Sequence, residues 1–151
     1  MRKTHFEISI RASPEEVWNA IVDDKKYREW TIPFHGGSYF EGGWEKSDTI
    51  RFLALNEKGE KEGMVSEIAE SRKYSFISIR HLGNILGGVE DTTSDAVRKW
   101  APAYENYTLT QLGEITKFEV DIYAEDNFFD MFNEMWPKAL EKLKAIAERR
   151  N

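Results

Sequence analysis

The feature that most constrains the fold is an apolar stripe near the C-terminus. Phe128, Met131, Phe132, Met135, Trp136, Ala139, Leu140, Leu143, Ile146 and Ala147 recur at three- and four-residue spacing. That spacing places them on one side of an α-helix. Asp130, Glu134, Glu141, Lys144 and Glu148 fall opposite. Pro137 stands inside the pattern, where a proline removes one backbone hydrogen bond and bends the axis. The stripe keeps its phase across Pro137, and the proline projects to the polar side. The pattern therefore predicts one bent helix of about twenty residues, whose apolar face must lie on a surface of matching size.

The rest of the chain supplies that surface. Phe6, Ile8 and Ile10 alternate with His5, Glu7, Ser9 and Arg11, the period-two signature of a strand buried on one face. Ser13-Pro14-Glu15-Glu16 follows: Ser13 suits an N-cap, Pro14 the first helical position, and Glu16 closes a capping box. A short helix through Val17, Ala20 and Ile21 results. Asp23 or Asp24 caps a second short helix that reaches Trp30. From Gly36 to Tyr123 the texture is strands and turns: Ser38–Glu41, Thr49–Leu55 paired with Gly63–Ala69, Tyr74–Leu82, and a hairpin of Tyr104–Thr110 with Thr116–Tyr123. The connections are too short for parallel crossovers, so the strands are antiparallel. Gly83 to Lys99 fits neither period and reads as a long loop, with a helical turn capped by Ser94 near its end.

An antiparallel sheet with one wet face must bury the other, and only the C-terminal helix is long and apolar enough to fill it. The fold expected is α+β, a helix-grip: a curved antiparallel sheet wrapped around one long helix, with two short helices after the first strand. It forms a single domain over residues 1–151, a usual domain size.

Particular residues carry a resemblance. Ala12-Ser13-Pro14-Glu15-Glu16-Val17-Trp18 follows the first strand, Trp30 closes the short helices, and Gly42-Gly43 precedes the central hairpin. Glu105 to Thr110 reads ENYTLT, and Trp136-Pro137-Lys138-Ala139-Leu140-Glu141-Lys142-Leu143-Lys144 lies in the last helix. Together, over nearly the whole chain, these resemble the bacterial START-like helix-grip proteins of the SRPBCC superfamily, and among them the activators of the ninety-kilodalton heat-shock-protein ATPase. The wider superfamily includes lipid-transfer domains, birch-pollen-like allergens and polyketide cyclases. The resemblance implies an internal cavity, between sheet and helix, for apolar small molecules. The long Gly83 to Lys99 segment and the single glycine of the turn at Gly113 depart from the family pattern.

Composition narrows the partners. The net charge is -6, which disfavours a phosphate backbone, so no nucleic acid is expected. There is no cysteine, which removes disulfides, thiolate metal sites and cysteine nucleophiles. No apolar run reaches membrane-spanning length and no signal peptide is visible, so the expected location is cytoplasmic. His5, His35 and His81 show neither i,i+4 pairing nor an HExxH motif, and neither metal nor cofactor is expected. Gly83-Asn84-Ile85-Leu86-Gly87-Gly88 lacks the lysine and hydroxyl of a phosphate loop. No nucleophile-elbow motif is present, and no catalytic residue is assigned.

The aromatics are the informative residues. The first half of the long helix is bulky and the second half small, which implies a gap widening toward the helix N-terminus. The candidate cavity lining is Phe128, Met131, Phe132 and Met135, faced by Trp30, Phe34 and Tyr39, with Tyr104 on a third side and His35 near the mouth. Tyrosine and tryptophan supply apolar bodies with polar tips, as a ligand pocket requires; each of these side chains, taken singly, suits a packed core better than a ligand contact. Glu105 shares phase with Tyr107 and Leu109; a carboxylate pointing inward needs a partner, and Arg80 and His81 are the candidates. Three functions follow. The first is a non-catalytic binder of a lipid or aromatic metabolite. The second is a polyketide cyclase or dehydratase-like enzyme. The third, implied by the resemblance alone, is a co-chaperone module stimulating a heat-shock chaperone ATPase; the chain is expected as monomer or homodimer.

Overall fold

The computed structural model describes residues 2–149. In chain order the elements are β1 (Arg2–Ile10), α1 (Pro14–Val22), α2 (Asp24–Trp30), β2 (Tyr39–Gly42), β3 (Thr49–Leu55), β4 (Lys61–Arg72), β5 (Phe76–Leu86), β6 (Val89–Asp91), α3 (Asp95–Arg98), β7 (Ala103–Leu112), β8 (Ile115–Ala124) and α4 (Phe129–Ala147). All strands join one antiparallel sheet in the order β1-β8-β7-β5-β4-β3-β2, with β6 paired to the far end of β5. The fold is a helix-grip, α+β, with α4 held in the hollow of the sheet.

Local chemistry starts each early helix. Ser13 Oγ accepts from Glu16 N at 3.1 Å while Glu16 Oε1 accepts from Ser13 N at 3.1 Å, the complete capping box. Asp23 ends α1 and caps α2 by accepting from Lys26 N. The helix α4 runs unbroken for 19 residues with the exposed Pro137 inside it.

The main core lies between sheet and helices. Ile10, Ile50, Ile68, Ile77, Ile79, Phe118 and Val120 from the strands are fully buried with Val17, Ile21 and Leu143 from the helices. Two irregularities in the β4–β5 pairing, at Val65/Ser66 and Ile68/Glu70, break the flat ladder; such bulges bend a sheet and raise its twist.

The Gly83 to Lys99 stretch departs from the expected loop. β5 continues through Gly83 to Leu86, turns at Gly87-Gly88 and returns as β6. A side chain at Gly83 would run into the Asp91 carbonyl, 2.0 Å from an added Cβ, so glycine there permits the close return. The helical turn α3 does start at Ser94, whose Oγ accepts from Val97 N. Among the described residues no helix is long and apolar enough to cross a membrane.

Candidate functional site

A cavity of about 260 Å³ opens between β3, β4, β5 and β7 on one side and α2, the following segment and α4 on the other. Its walls are aromatic: Tyr27, Trp30, Phe34, Phe52, Phe132 and Trp136. These rings hold one another. Trp136 lies 4.9 Å from Phe34 and 6.0 Å from Trp30, centroid to centroid. Tyr27 packs edge-on to Trp30 at 5.5 Å. Trp30 Nε1 donates to the Ile21 carbonyl at 3.3 Å, which ties its polar tip back into α1 and leaves its ring apolar toward the cavity.

One polar cluster interrupts these walls. The pairing of β5 with β7 sets Ile79 opposite Glu105 and His81 opposite Ala103, so His81 and Glu105 are diagonal neighbours on one face. His81 Nε2 lies 3.1 Å from Glu105 Oε1. Tyr107, two residues on and on the same face, donates its hydroxyl to Glu105 Oε2. Behind the histidine, Ser66 Oγ lies 2.7 Å from His81 Nδ1. A neutral imidazole with its proton on Nε2 satisfies both contacts: it donates to Glu105 and accepts from Ser66. Burial, helped by the Glu105 charge, pushes the phenols of Tyr27 and Tyr107 well up from their ordinary value, so both stay as O–H donors.

Serine, histidine and glutamate in contact suggest a hydrolase triad, but the geometry does not support one. Ser66 is fully buried and is not part of the cavity wall, so no substrate carbonyl can reach its Oγ. Both imidazole nitrogens are already engaged. His81 therefore positions Glu105, which is the carboxylate it holds in the cavity wall.

The candidate residues separate into two groups. Trp30, Phe34 and Phe132 line the cavity. The other six lie elsewhere. Phe128 and Met131 are 41% and 40% exposed, and Met135 is half-buried beside the lining pair Phe132 and Trp136. The residues of α4 that join the core are Trp136, Ala139, Leu140, Leu143, Ile146 and Ala147, with Phe132 packed against them, so Phe128, Met131 and Met135 lie outside it. His35 is exposed and accepts from Gly37 N at 3.0 Å, stabilising its own turn. Tyr39 packs with Leu53, Val65 and Ile85 in a satellite cluster. Tyr104 stands opposite Arg80 in the pairing of β5 with β7, and Arg80 pairs with Glu67. Of the two partners considered for Glu105, His81 is the one in contact.

A second polar cluster lies on β1 and β8, where His5, Glu7 and Glu119 bring ligand-type atoms together. Lys117 lies 3.3 Å from Glu7 and 3.4 Å from Glu119, so the carboxylates already have a cation.

Comparisons with known proteins show the fold. No family model matches the chain, and no curated protein matches it. Solved structures do. Protein MLL2253 from Mesorhizobium loti is 14% identical at a TM-score of 0.71, over 99% of each chain. The Aha1 dimer from Colwellia psychrerythraea is 17% identical at 0.70, covering 98% of this chain and 97% of that one. DynU16, a protein in the dynemicin biosynthetic locus, is 16% identical at 0.69, covering 97% of this chain and 47% of that one.

Proposed function

We propose that this chain binds an apolar small molecule, a lipid fragment or an aromatic metabolite, in the cavity between the sheet and α4, without transforming it. The observation that carries the reading is the aromatic-walled space of about 260 Å³ with one hydrogen-bonded polar cluster in its wall. Ligand pockets combine an apolar lining with a few placed polar groups. The volume is just below the roughly 300 Å³ at which small-molecule sites typically begin, so the ligand is small.

The test is titration with the neutral, environment-sensitive dye 6-propionyl-2-dimethylaminonaphthalene. The expected result is a saturable blue shift at one dye per chain. Phe132→Trp fills the space from the α4 side and should abolish the shift with little change in melting temperature. A wild type that gives no saturable shift sinks the reading. A variant that loses several degrees of stability marks Phe132 as core alone.

A second reading, an enzyme of the polyketide-cyclase kind, is favoured by Glu105, a carboxylate of the cavity wall held by two donors. In that reading Glu105 takes a proton from an acidic carbon and leaves the carbon's electron pair in the ligand as an enolate, while His81 and Tyr107 hold the carboxylate in place. Exchange of deuterium from solvent into a bound β-diketone, lost in Glu105→Gln, separates this from simple binding.

A further inference from the structure

The charged groups of the cavity are of one sign. Glu105 stands in the wall and the half-buried Glu62 is also among the lining residues, whereas among the described residues no lysine or arginine lines the space. Arg80, the neighbour of His81 in β5, pairs instead with Glu67 and is absent from the lining. Glu105 has only 18% of its side chain exposed. What holds it are donors, the His81 imidazole and the Tyr107 hydroxyl, one on each oxygen. Each oxygen keeps a lone pair for a further donor.

We infer that the cavity selects organic cations: an amine whose apolar body fills the aromatic walls and whose ammonium donates to Glu105. The inference rests on the binding reading above and adds the ligand's charge. Three considerations rank the ligand classes. A carboxylate or phosphate buried here would sit beside Glu105 with no cation to offset it, and an unpaired buried charge is costly. A neutral hydroxyl can donate to Glu105 but gains one ordinary hydrogen bond. An ammonium gains a charge-assisted bond, stronger than a neutral one, and is also attracted to the π-systems of Tyr27, Trp30 and Trp136 around it. Low-dielectric walls strengthen the attraction, because a cleft lined by one sign of charge focuses its field inward.

The experiment compares three matched probes by calorimetric titration at neutral pH: 4-phenylbutylamine, 4-phenylbutan-1-ol and 4-phenylbutyrate. They share the apolar body and differ in the head group. The inference expects the amine to bind at least tenfold more tightly than the alcohol, and the carboxylate to bind most weakly. In Glu105→Gln the preference for amine over alcohol should collapse while alcohol binding persists, which also shows that the variant is folded. If the wild type binds the alcohol as tightly as the amine, or prefers the carboxylate, the charge inference is overturned and the binding reading stands. If none of the three binds, both fall together. If the amine preference survives in Glu105→Gln, Glu105 is not its source and the inference fails on that ground, even where the wild type shows the preference.

Discussion

His81 Nε2 and Glu105 Oε1 lie 3.1 Å apart although 24 residues separate them in sequence. Both project from adjacent strands into the hollow that α4 occupies, and the histidine is nearly enclosed, with 9% of its side chain exposed. A carboxylate in such a place costs free energy unless its oxygens are satisfied, and here each oxygen receives a donor.

That arrangement predicts a measurable coupling between Tyr107 and Glu105. Tyr107→Phe removes one hydrogen bond to a carboxylate and should cost about 1.5–3 kcal/mol. Glu105→Leu leaves the Tyr107 hydroxyl and the His81 N–H without their acceptor. The double variant should then cost less than the sum of the singles, by about 1 kcal/mol, the range found for groups in one hydrogen-bond network. Urea unfolding of the four proteins checks it; strictly additive costs would show that the hydroxyl and the carboxylate do not interact.

Gly63 predicts a larger effect at a position with no side chain. It lines the cavity at φ 154 and pairs with Leu53 across β3 and β4. A Cβ there would sit 1.8 Å from the Phe52 carbonyl oxygen. The obstacle is backbone, so no rotamer change relieves it, and the backbone angle is one that alanine rarely adopts. Gly63→Ala should cost about 2–4 kcal/mol from strain and overpacking together. Gly59→Ala is the comparison: it also has positive φ, 76, but its Cβ would meet nothing within 4 Å. Its cost should be limited to the conformational term of about 1–2 kcal/mol. Equal midpoints for the two variants in thermal unfolding would refute the steric argument.

Features encoded locally were legible in the sequence. The Ser13–Glu16 capping box needs only its own four residues, and the α4 stripe needs only helical spacing, so both appear where the pattern puts them. Features that depend on pairing were not. β5 looks finished at Leu82 because Gly83 and Asn84 are poor strand formers; its continuation depends on β4 and on the three-residue β6, which has no periodicity of its own. The site follows the same division. Trp30, Phe34 and Phe132 were legible as large aromatics on elements that meet. Ser66 joins His81 only because the sheet register shifts between Val65 and Ser66, and one shifted residue changes which face a side chain occupies. Phe128, Met131 and Met135 lie outside the cavity wall for a geometric reason. Of the ten stripe residues, Trp136, Ala139, Leu140, Leu143, Ile146 and Ala147 join the core and Phe132 packs on it, and the three that do neither all belong to the first half of the stripe.

His5 lies on the edge strand β1. Its Nδ1 lies 2.7 Å from Asp121 Oδ1 and its Nε2 lies 3.1 Å from Glu7 Oε2. A neutral imidazole has one N–H and cannot donate to both carboxylates; the protonated ring can. The hydrogen bond to Asp121, then that to Glu7, raises the His5 pKa above its ordinary 6.5. The same contact, with help from Lys117, lowers Glu7. A pKa raised by folding means that the folded state holds the proton more tightly. The stabilisation is therefore fully present below about pH 6.5, the unfolded value, and is lost as pH rises through the higher folded value. With 39% of the side chain exposed, water and salt screen the pair, and its contribution is about 0.3 kcal/mol. That is too small to read reliably from unfolding curves, so the titration itself is the measurement. The imidazole C2 proton of His5, assigned by its loss in His5→Gln, should titrate with a midpoint above 6.5. Asp121→Asn should move that midpoint down toward the ordinary value, because the first of the two acceptors loses its charge. A wild-type midpoint at or below 6.5, or one that Asp121→Asn leaves in place, would mean that His5 does not hold its proton through Asp121.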